Sequence, residues 1–319
     1  MPAYLLRRLL LVVPTLIGVS LLAFGLANLT PGDPAVELLR RTTDHQPSPS
    51  EVVETRHELG LDRPLVVQYV SWVRHAATGD LGISYDTRRP VAGEIARRVP
   101  NTLAIAIPAA VAALLFALVF GVASAFWRNR WPDHLIRVVS VMGASMPGFW
   151  LALLLIVLFS VRLSLLPVAG REAGLRSYVL PVVTLTLAPM AVLSRFTRSA
   201  MLQTLDDDYV RTARSKGLGG WRVVGHHALR NAAIPVVTAF GTSLGYLISG
   251  AVIVETIFLW PGVGKLAVDA ILQRDYPMIE GFTLYAGVAF VVINLFVDLS
   301  YGAFDPRVRI GTGAKGGQS

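Results

Sequence analysis

Three short patterns in the sequence resemble catalytic or metal-binding motifs, and each lacks an essential part. Gly262-Val263-Gly264-Lys265 is the nearest approach to a phosphate-binding loop, but Leu259 replaces its first glycine and Leu266 its magnesium-binding Ser or Thr. His226-His227 are adjacent, so on a helix they point about 100° apart and do not ligate one metal from one face. Ser145 has no His or Lys base within a predicted span. The sequence therefore predicts no nucleotide hydrolysis, no metal site and no intramembrane protease.

Polar side chains inside apolar segments form a second group of candidates, because burying them in a bilayer is costly and often marks function. Glu255 lies at the outer end of one apolar segment, where a helix cap or an ion pair is the alternative to a transport role. Asn294 and Asp298 lie one helical turn apart in another segment. These two either face a polar pathway or fix one helix to another, so all three remain candidate pathway or interhelix residues.

The composition places this chain among membrane proteins. Of its 319 residues 53% are hydrophobic and 16% are charged, whereas soluble domains contain roughly 25% charged residues. The net charge of +8 comes mainly from basic residues beside apolar segments, so it indicates contact with membrane lipid and orientation rather than binding to nucleic acid. Cysteine is absent, which excludes disulfides and thiolate metal sites.

Six segments reach the length of about 20 mainly apolar residues that a membrane-spanning helix needs. The predicted spans are residues 9–29, 102–127, 138–161, 178–194, 234–257 and 282–303. The fourth contains Pro181 and Pro189, which a membrane helix tolerates where its neighbours satisfy the freed carbonyl groups. No A-x-A cleavage site follows the first span, so we interpret it as an anchor rather than a signal peptide.

Basic residues beside the spans predict how the chain faces the membrane. An even number of spans puts both termini on one side, and positive residues favour the cytoplasm. The basic residues that share this side are Arg7, Arg8, Arg128, Arg130, Arg137, those of residues 195–231, Arg307, Arg309 and Lys315. Arg88, Arg89, Arg97 and Arg98 fall on the other side, in a long connection where the rule is weaker. Both termini are therefore predicted to be cytoplasmic.

The connection of residues 30–98 is predicted to be a structured element on the external side. Apolar residues recur at helical spacing between Pro64 and Ala77, and Gly79 follows as a helix terminator. This element acts either as a plug or lid that shields the bundle or as a docking surface for a soluble partner, and the sequence leaves both open.

A second connection, residues 195–233, is the main polar segment on the cytoplasmic side. Asp206 to Asp208 favour the start of a helix, and Gly217 favours its end. A second helix is predicted to present Trp221, Val224 and Leu229 beside arginines. Such a helix pair suits docking into a protein groove, and resting on anionic lipid is the alternative.

The residues of this connection resemble a known family. Tyr209 to Leu218 reads YVRTARSKGL and His227 to Ala232 reads HALRNA, similar to the first membrane subunit of ABC importers for dipeptides, oligopeptides and nickel. Further matching segments are Thr30 to Pro34, Leu59 to Pro64, Gly79 to Gly82, Pro100 to Leu103, Pro147 to Trp150, Val254 to Gly262 and Asp305 to Arg307. Their order and spacing extend the resemblance over nearly the whole chain.

This resemblance implies an all-α polytopic protein of the bacterial cytoplasmic (inner) membrane. It implies six transmembrane helices in a type I ABC importer permease (MetI-like) fold, with a large external loop after the first helix. It also implies four partner subunits or domains, namely a second homologous permease, two cytoplasmic ABC ATPases and an extracytoplasmic solute-binding protein. The chain itself is expected to hold no cofactor, since ATP and Mg are bound by the ATPases.

The resemblance also assigns the helix of residues 209–218 to contact with an ATPase. Setting Gly217 on the glycine of the broader E-A-A motif of ABC importers aligns Arg211, Thr212 and Ala213 with its first three positions. The expected contributions are apolar anchorage from Tyr209 and Leu218, polar contacts from Arg211, Arg214 and Lys216, and close approach at Ala213 and Gly217. Peptides are the expected substrates. Nickel chelates or other small solutes, and a stand-alone channel or secondary transporter, remain alternatives.

Overall fold

The computed structural model describes residues 2–29, 32–43, 45–215, 224 and 229–304. These residues are almost entirely helical, apart from an isolated bridge between Ile83 and Pro90. The helices are α1 (Pro2–Leu29), α2 (Pro34–Thr42), α3 (Pro49–Glu58), α4 (Leu65–Ala77), α5 (Val91–Phe126), α6 (Trp131–Ser145), α7 (Gly148–Leu155), α8 (Arg176–Leu205), α9 (Asp208–Ser215), α10 (Leu229–Ile257), α11 (Val263–Leu272) and α12 (Tyr276–Phe304). A π-helical stretch, Ile156–Arg162, continues α7.

Among the described residues, four helices are long and apolar enough to cross a membrane, namely α1, α5, α8 and α12. Two bent segments raise the number to six if each is one span. One joins α6 to Gly148–Arg162 with a bend of 106°, and the other lies within α10 with a bend of 53°. An all-helical, polytopic membrane protein is what the sequence predicted.

The helices differ from the predicted spans at their ends and at one break. The predicted span 138–161 is not one helix, because Met146 precedes Pro147 and adopts an extended conformation with φ −77° and ψ 125°. Helix α8 runs on past the predicted end at residue 194, so the first part of the predicted cytoplasmic connection is helical. Helix α5 begins at Val91 and α12 at Tyr276, both earlier than predicted. Apolar length marks the part of a helix that lipid covers, not where the helix ends.

The chain divides into two compact units, each with its own core. The bundle unit comprises the described residues between 103 and 260 together with residues 293–304. Its first apolar cluster gathers buried side chains from α5, α7, α8 and α10 around the fully buried Trp260, with Leu193 and Met201 also buried along α8. Pro181 and Pro189 lie inside α8 and are buried, as expected where neighbouring helices compensate the lost hydrogen bonds.

The amino-terminal unit comprises residues 2–102 and 261–292. Helix α4 confirms the helix expected before Gly79, whose φ of +86° is the left-handed conformation of a glycine terminator. Helix α4 packs on α1, where the Tyr69 hydroxyl lies 2.8 Å from that of Ser20 and the Tyr69 ring contacts Phe24 edge-on. The connection after α1 is therefore folded onto the first span.

Candidate coupling site

The predicted contact helix is present as α9, which begins at Asp208 and places residues 211–214 on a helical backbone. Tyr209 is 40% exposed, so its ring is accessible. Lys216, Gly217 and Leu218 lie outside the described residues, as does most of the predicted second helix. The accessible Tyr209 and the helical positions 211–214 are thus the described part of the surface predicted from sequence.

Val210, next to Tyr209, is buried against the bundle unit and, among the described side chains of α9, packs into its apolar core. Its side chain is fully buried, and the sequence analysis did not single it out. We name the cluster around it the coupling core, formed by Ala125, Ala200, Met201, Leu205, Val210, Val224, Ala232 and Val236. These residues come from the end of α5, the end of α8, α9 and the start of α10. A force applied to α9 therefore reaches three other helices through one packed cluster.

The junction between α8 and α9 is short. Only Asp206 and Asp207 separate the two helices, and the Val210 N–H donates to the Asp207 carbonyl at 3.1 Å. Asp206 also lies 3.7 Å from the guanidinium of Arg128, but both side chains are exposed, so this ion pair adds little. Because the junction is short and Val210 is buried, we expect α8 and α9 to move together.

A buried ion pair joins α6 to α8 in the same unit. Asp133 is fully buried, and Arg198 donates to its two carboxylate oxygens through Nε and Nη2, each at 2.8 Å. The hydroxyl of Ser124 and the backbone N–H of Asn129, at 2.9 Å, donate to the same carboxylate. A carboxylate with this many donors is a rigid connection, because each oxygen is satisfied in a single geometry.

This pair was not predicted from the sequence. Arg198 lies beyond the predicted end of the fourth span, where an arginine was interpreted only as evidence of a cytoplasmic connection. The one sequence feature that points to the pair is the position of Asp133 directly after Trp131-Pro132, in the first turn of a helix. That position predicts a helix-start carboxylate but does not identify an arginine 65 residues away as its partner.

Helix α5 is also in close backbone contact with α8. A Cβ added to Gly121 would overlap the side chain of Thr197 and the carbonyl of Ser194. Ser124, one turn further along α5, is the residue that donates to Asp133. Helix α5 can therefore approach α8 closely only because position 121 has no side chain.

Gly121→Ala is expected to lower the free energy of unfolding by about 1–3 kcal/mol, because the added methyl group overpacks a full interface. Gly93→Ala on the same helix is the matched control, since a Cβ there meets nothing within 4 Å. It is expected to be neutral or stabilising by up to about 1 kcal/mol from helix propensity. In detergent, the thermal unfolding temperature should fall for Gly121→Ala and stay unchanged or rise for Gly93→Ala; equal shifts would contradict the close approach at Gly121.

The candidate pathway residues have different surroundings. Glu255 is fully buried near the end of α10, whereas Asn294 is exposed on α12. The backbone of Asp298 continues α12, and its side chain lies outside the described part. Among the described residues no group of three or more His, Cys, Asp or Glu side chains is arranged to hold a metal ion.

Two protein-family models together match nearly the whole chain. Residues 117–310 match the model for the binding-protein-dependent transport system inner membrane component, and residues 1–106 match the N-terminal model for the membrane component of these systems. The glutathione transport system permease protein GsiC of Escherichia coli O6:H1 is 45% identical over 307 residues, 96% of this chain and 98% of that protein. The corresponding protein of Salmonella paratyphi A is 44% identical over 306 residues, with the same coverage of both chains.

Two solved structures share the fold at low sequence identity. An inward-facing MetNI methionine ABC transporter matches 66% of this chain and 96% of its own, with a TM-score of 0.57 and 17% identity. An amino acid ABC transporter crystallised with histidines matches 66% of this chain and 94% of its own, with a TM-score of 0.54 and 14% identity. The expected type I importer permease fold is confirmed by these matches.

Proposed function

The chain belongs to the family of binding-protein-dependent transport system inner membrane components, and from this premise we propose that it is one of two permease subunits of an ATP-driven peptide importer. As an ABC importer permease it is a multi-pass inner-membrane transport subunit and not an enzyme, and ATP hydrolysis belongs to partner ATPases. An ATPase and a binding protein are its partners by family. The complete set that we propose is a second homologous permease, two ATPases that bind ATP and Mg, and one external solute-binding protein.

The coupling site carries the proposed mechanism. The surface of residues 209–218 docks on an ATPase, with the accessible Tyr209 as apolar anchor and the arginines of α9 as polar contacts. When the ATPases close on ATP, α9 moves with them. Because Val210 is packed in the coupling core and only two residues separate the end of α8 from the start of α9, α8 moves as well.

The Asp133–Arg198 pair extends this movement to α6. Its bidentate geometry and the full burial of Asp133 make α6 and α8 rotate as one body. Rigid-body movement of packed helices is how hinge and shear transitions expose a site first on one side and then on the other. The alternation between outward-facing and inward-facing states therefore starts at α9 and passes through the coupling core and the ion pair.

The proposed orientation follows from the basic residues. Arg128 and Arg130 lie in the turn between α5 and α6, Arg137 lies in the second turn of α6, and Arg195 and Arg198 lie in the second half of α8. Positive residues favour the cytoplasm, so we place this end and both termini there. Helices α2 to α4 then lie on the external side, where they serve either as a lid or as the docking surface for the binding protein.

Small peptides are the proposed substrates because the relatives of 44–45% identity are glutathione permeases, and glutathione is a tripeptide. Nickel chelates are the alternative. The absence of cysteine from the chain argues against soft metal ligands along the path, and no histidine lies in a predicted span. Selectivity also depends on the binding protein, so the substrate test addresses that subunit.

We expect di- and tripeptides, including glutathione, to stabilise the solute-binding protein that activates this importer. At a ligand concentration 100 times Kd, binding to the folded state alone adds about 2.7 kcal/mol to the free energy of unfolding. Thermal unfolding with a peptide series and with nickel chelates measures the effect. A shift with nickel chelates and none with any peptide would contradict the peptide assignment.

A further inference from the structure

A cavity of about 500 Å³ lies within the amino-terminal unit. Its walls are the end of α1, helices α3 and α4, the turn of residues 80–85 and the start of α12. The volume falls in the range of pockets that hold small molecules. The coupling mechanism does not use this cavity. The cavity is lined by acidic and basic side chains, which can recognise a charged ligand.

Two tyrosines form an aromatic corner of this cavity. The ring centroids of Tyr85 and Tyr276 are 6.5 Å apart, with the planes tilted by 58°. Asp275 fixes this corner, because the Ser84 hydroxyl donates to its carboxylate at 2.5 Å and the Tyr85 N–H donates at 3.1 Å. Burial, followed by the negative charges of Glu280 and Asp275, raises the pKa of Tyr85, so its phenol stays protonated. The corner is thus preorganised and neutral.

Two polar groups in this cavity have no hydrogen-bond or ion-pair partner among the described residues. The hydroxyl of Tyr276 is buried, with the residue only 5% exposed, and makes no hydrogen bond. Glu280 follows four residues later on the same face of α12, is half-buried, and has neither a basic partner nor a hydrogen bond in the described chain. Burying an unpaired hydroxyl and an unpaired carboxylate is unfavourable, so both groups have binding capacity that no described protein group uses.

We propose that this cavity binds a primary ammonium group, namely the free amino end of a peptide during import. The ammonium favours the ionised form of the Glu280 carboxyl group and pairs with it, the Tyr276 hydroxyl accepts a hydrogen bond from the ammonium, and the two rings lie beside the cation. Arg63 lines the same cavity and provides positive charge for the carboxylate end of the substrate. This inference rests on the proposed peptide import and adds a specificity site within the permease itself.

The test compares two substrates in the complete importer reconstituted in proteoliposomes. Initial ATP-dependent uptake of Ala-Ala and of N-acetyl-Ala-Ala is measured with the binding protein in excess. Because the wild type and each variant use the same binding protein, its own preference cancels when the ratio of the two uptake rates is compared between a variant and the wild type. Glu280→Gln is expected to reduce uptake of the free-amine peptide at least tenfold and to leave uptake of the acetylated peptide unchanged.

Two further variants separate recognition from folding. Tyr276→Phe removes one hydroxyl that has no partner in the described chain, so a structural role predicts no effect. We expect it to lower the ratio of free-amine to acetylated uptake three- to tenfold, and it keeps the test decisive if Glu280→Gln fails to assemble. Glu58→Gln is the matched control, since Glu58 lines the same cavity but is exposed, and its ratio should equal that of the wild type.

The outcomes distinguish the sources of the ammonium group. If the wild type imports peptides and both Glu280→Gln and Tyr276→Phe keep the wild-type ratio, the ammonium site is wrong while peptide import stands. If the wild type imports neither peptide, peptide import fails as well. If the variants differ from the wild type only in vesicles containing phosphatidylethanolamine, the cavity binds the lipid headgroup amine, and the assignment to substrate is overturned.

Discussion

Arg198→Leu is expected to lower the free energy of unfolding by about 3–5 kcal/mol and to abolish import, because it leaves the carboxylate of Asp133 buried without its counter-charge. Asp133 has no solvent exposure, and Arg198 supplies two of its hydrogen bonds. The Ser124 hydroxyl and the Asn129 N–H remain, but they carry no charge, and the half-exposed Arg137 at 3.7 Å is screened by solvent. Chemical unfolding in detergent and ATP-dependent uptake in proteoliposomes measure the two effects.

Arg137→Leu is the matched control for this prediction. Arg137 is also near Asp133, at 3.7 Å, but its side chain is 42% exposed, so its loss should cost no more than about 1 kcal/mol. Arg198→Lys tests positioning separately, because it keeps the charge and loses the bidentate geometry. We expect the importer that contains Arg198→Lys to assemble and its ATPases to hydrolyse ATP, with fewer substrate molecules imported per ATP. Wild-type stability and uptake in Arg198→Leu would show that the Asp133–Arg198 pair does not couple α6 to α8.

Gly217→Arg is expected to reduce uptake and peptide-stimulated ATP hydrolysis more than tenfold. The reason is that a long cation replaces the glycine at which the helix of residues 209–218 is predicted to approach the ATPase closely. Ala213→Asp, on α9, is expected to act in the same way by placing a carboxylate in the contact. Both positions belong to the surface inferred from the resemblance, so the permease itself should still insert and fold.

The control for the docking surface is Ala213→Ser, which adds a single oxygen and should keep uptake within about twofold of the wild type. Pull-down of the ATPases by each permease variant measures assembly, and the ATPase assay measures coupling. Normal assembly, ATP hydrolysis and uptake in both Gly217→Arg and Ala213→Asp would place the ATPase contact elsewhere on the chain.

The sequence predicted the apolar helices because a bilayer imposes a length and a composition that a single segment carries by itself. It did not predict where those helices end. Val91 and Leu205 lie at helix ends with polar and charged neighbours, where lipid imposes no apolar requirement and local hydrogen bonds decide. The break at Met146 also lies in an apolar run, where hydropathy alone does not separate a straight span from a bent one.

Pairings between distant residues were the least predictable part. Asp133 and Arg198 meet only because α6 packs on α8, and Val210 is buried only because α9 folds back on the coupling core. The resemblance singled out Tyr209, whose ring is accessible, but not the neighbouring residue that holds the helix. Glu280 and Tyr276 were likewise not predicted from the sequence, because their proposed role in binding depends on a cavity whose other walls come from residues 24–85.

ATP dependence of uptake tests the central claim most directly. The complete importer and this chain alone are reconstituted into separate proteoliposomes, each with external binding protein and a labelled tripeptide, and with or without ATP and Mg at the ATPase side. Coupling through α9 predicts uptake only in the complete importer and only with ATP. Uptake of the peptide by the lone chain, driven by an ion or substrate gradient, would contradict it and make the chain a stand-alone channel or secondary transporter.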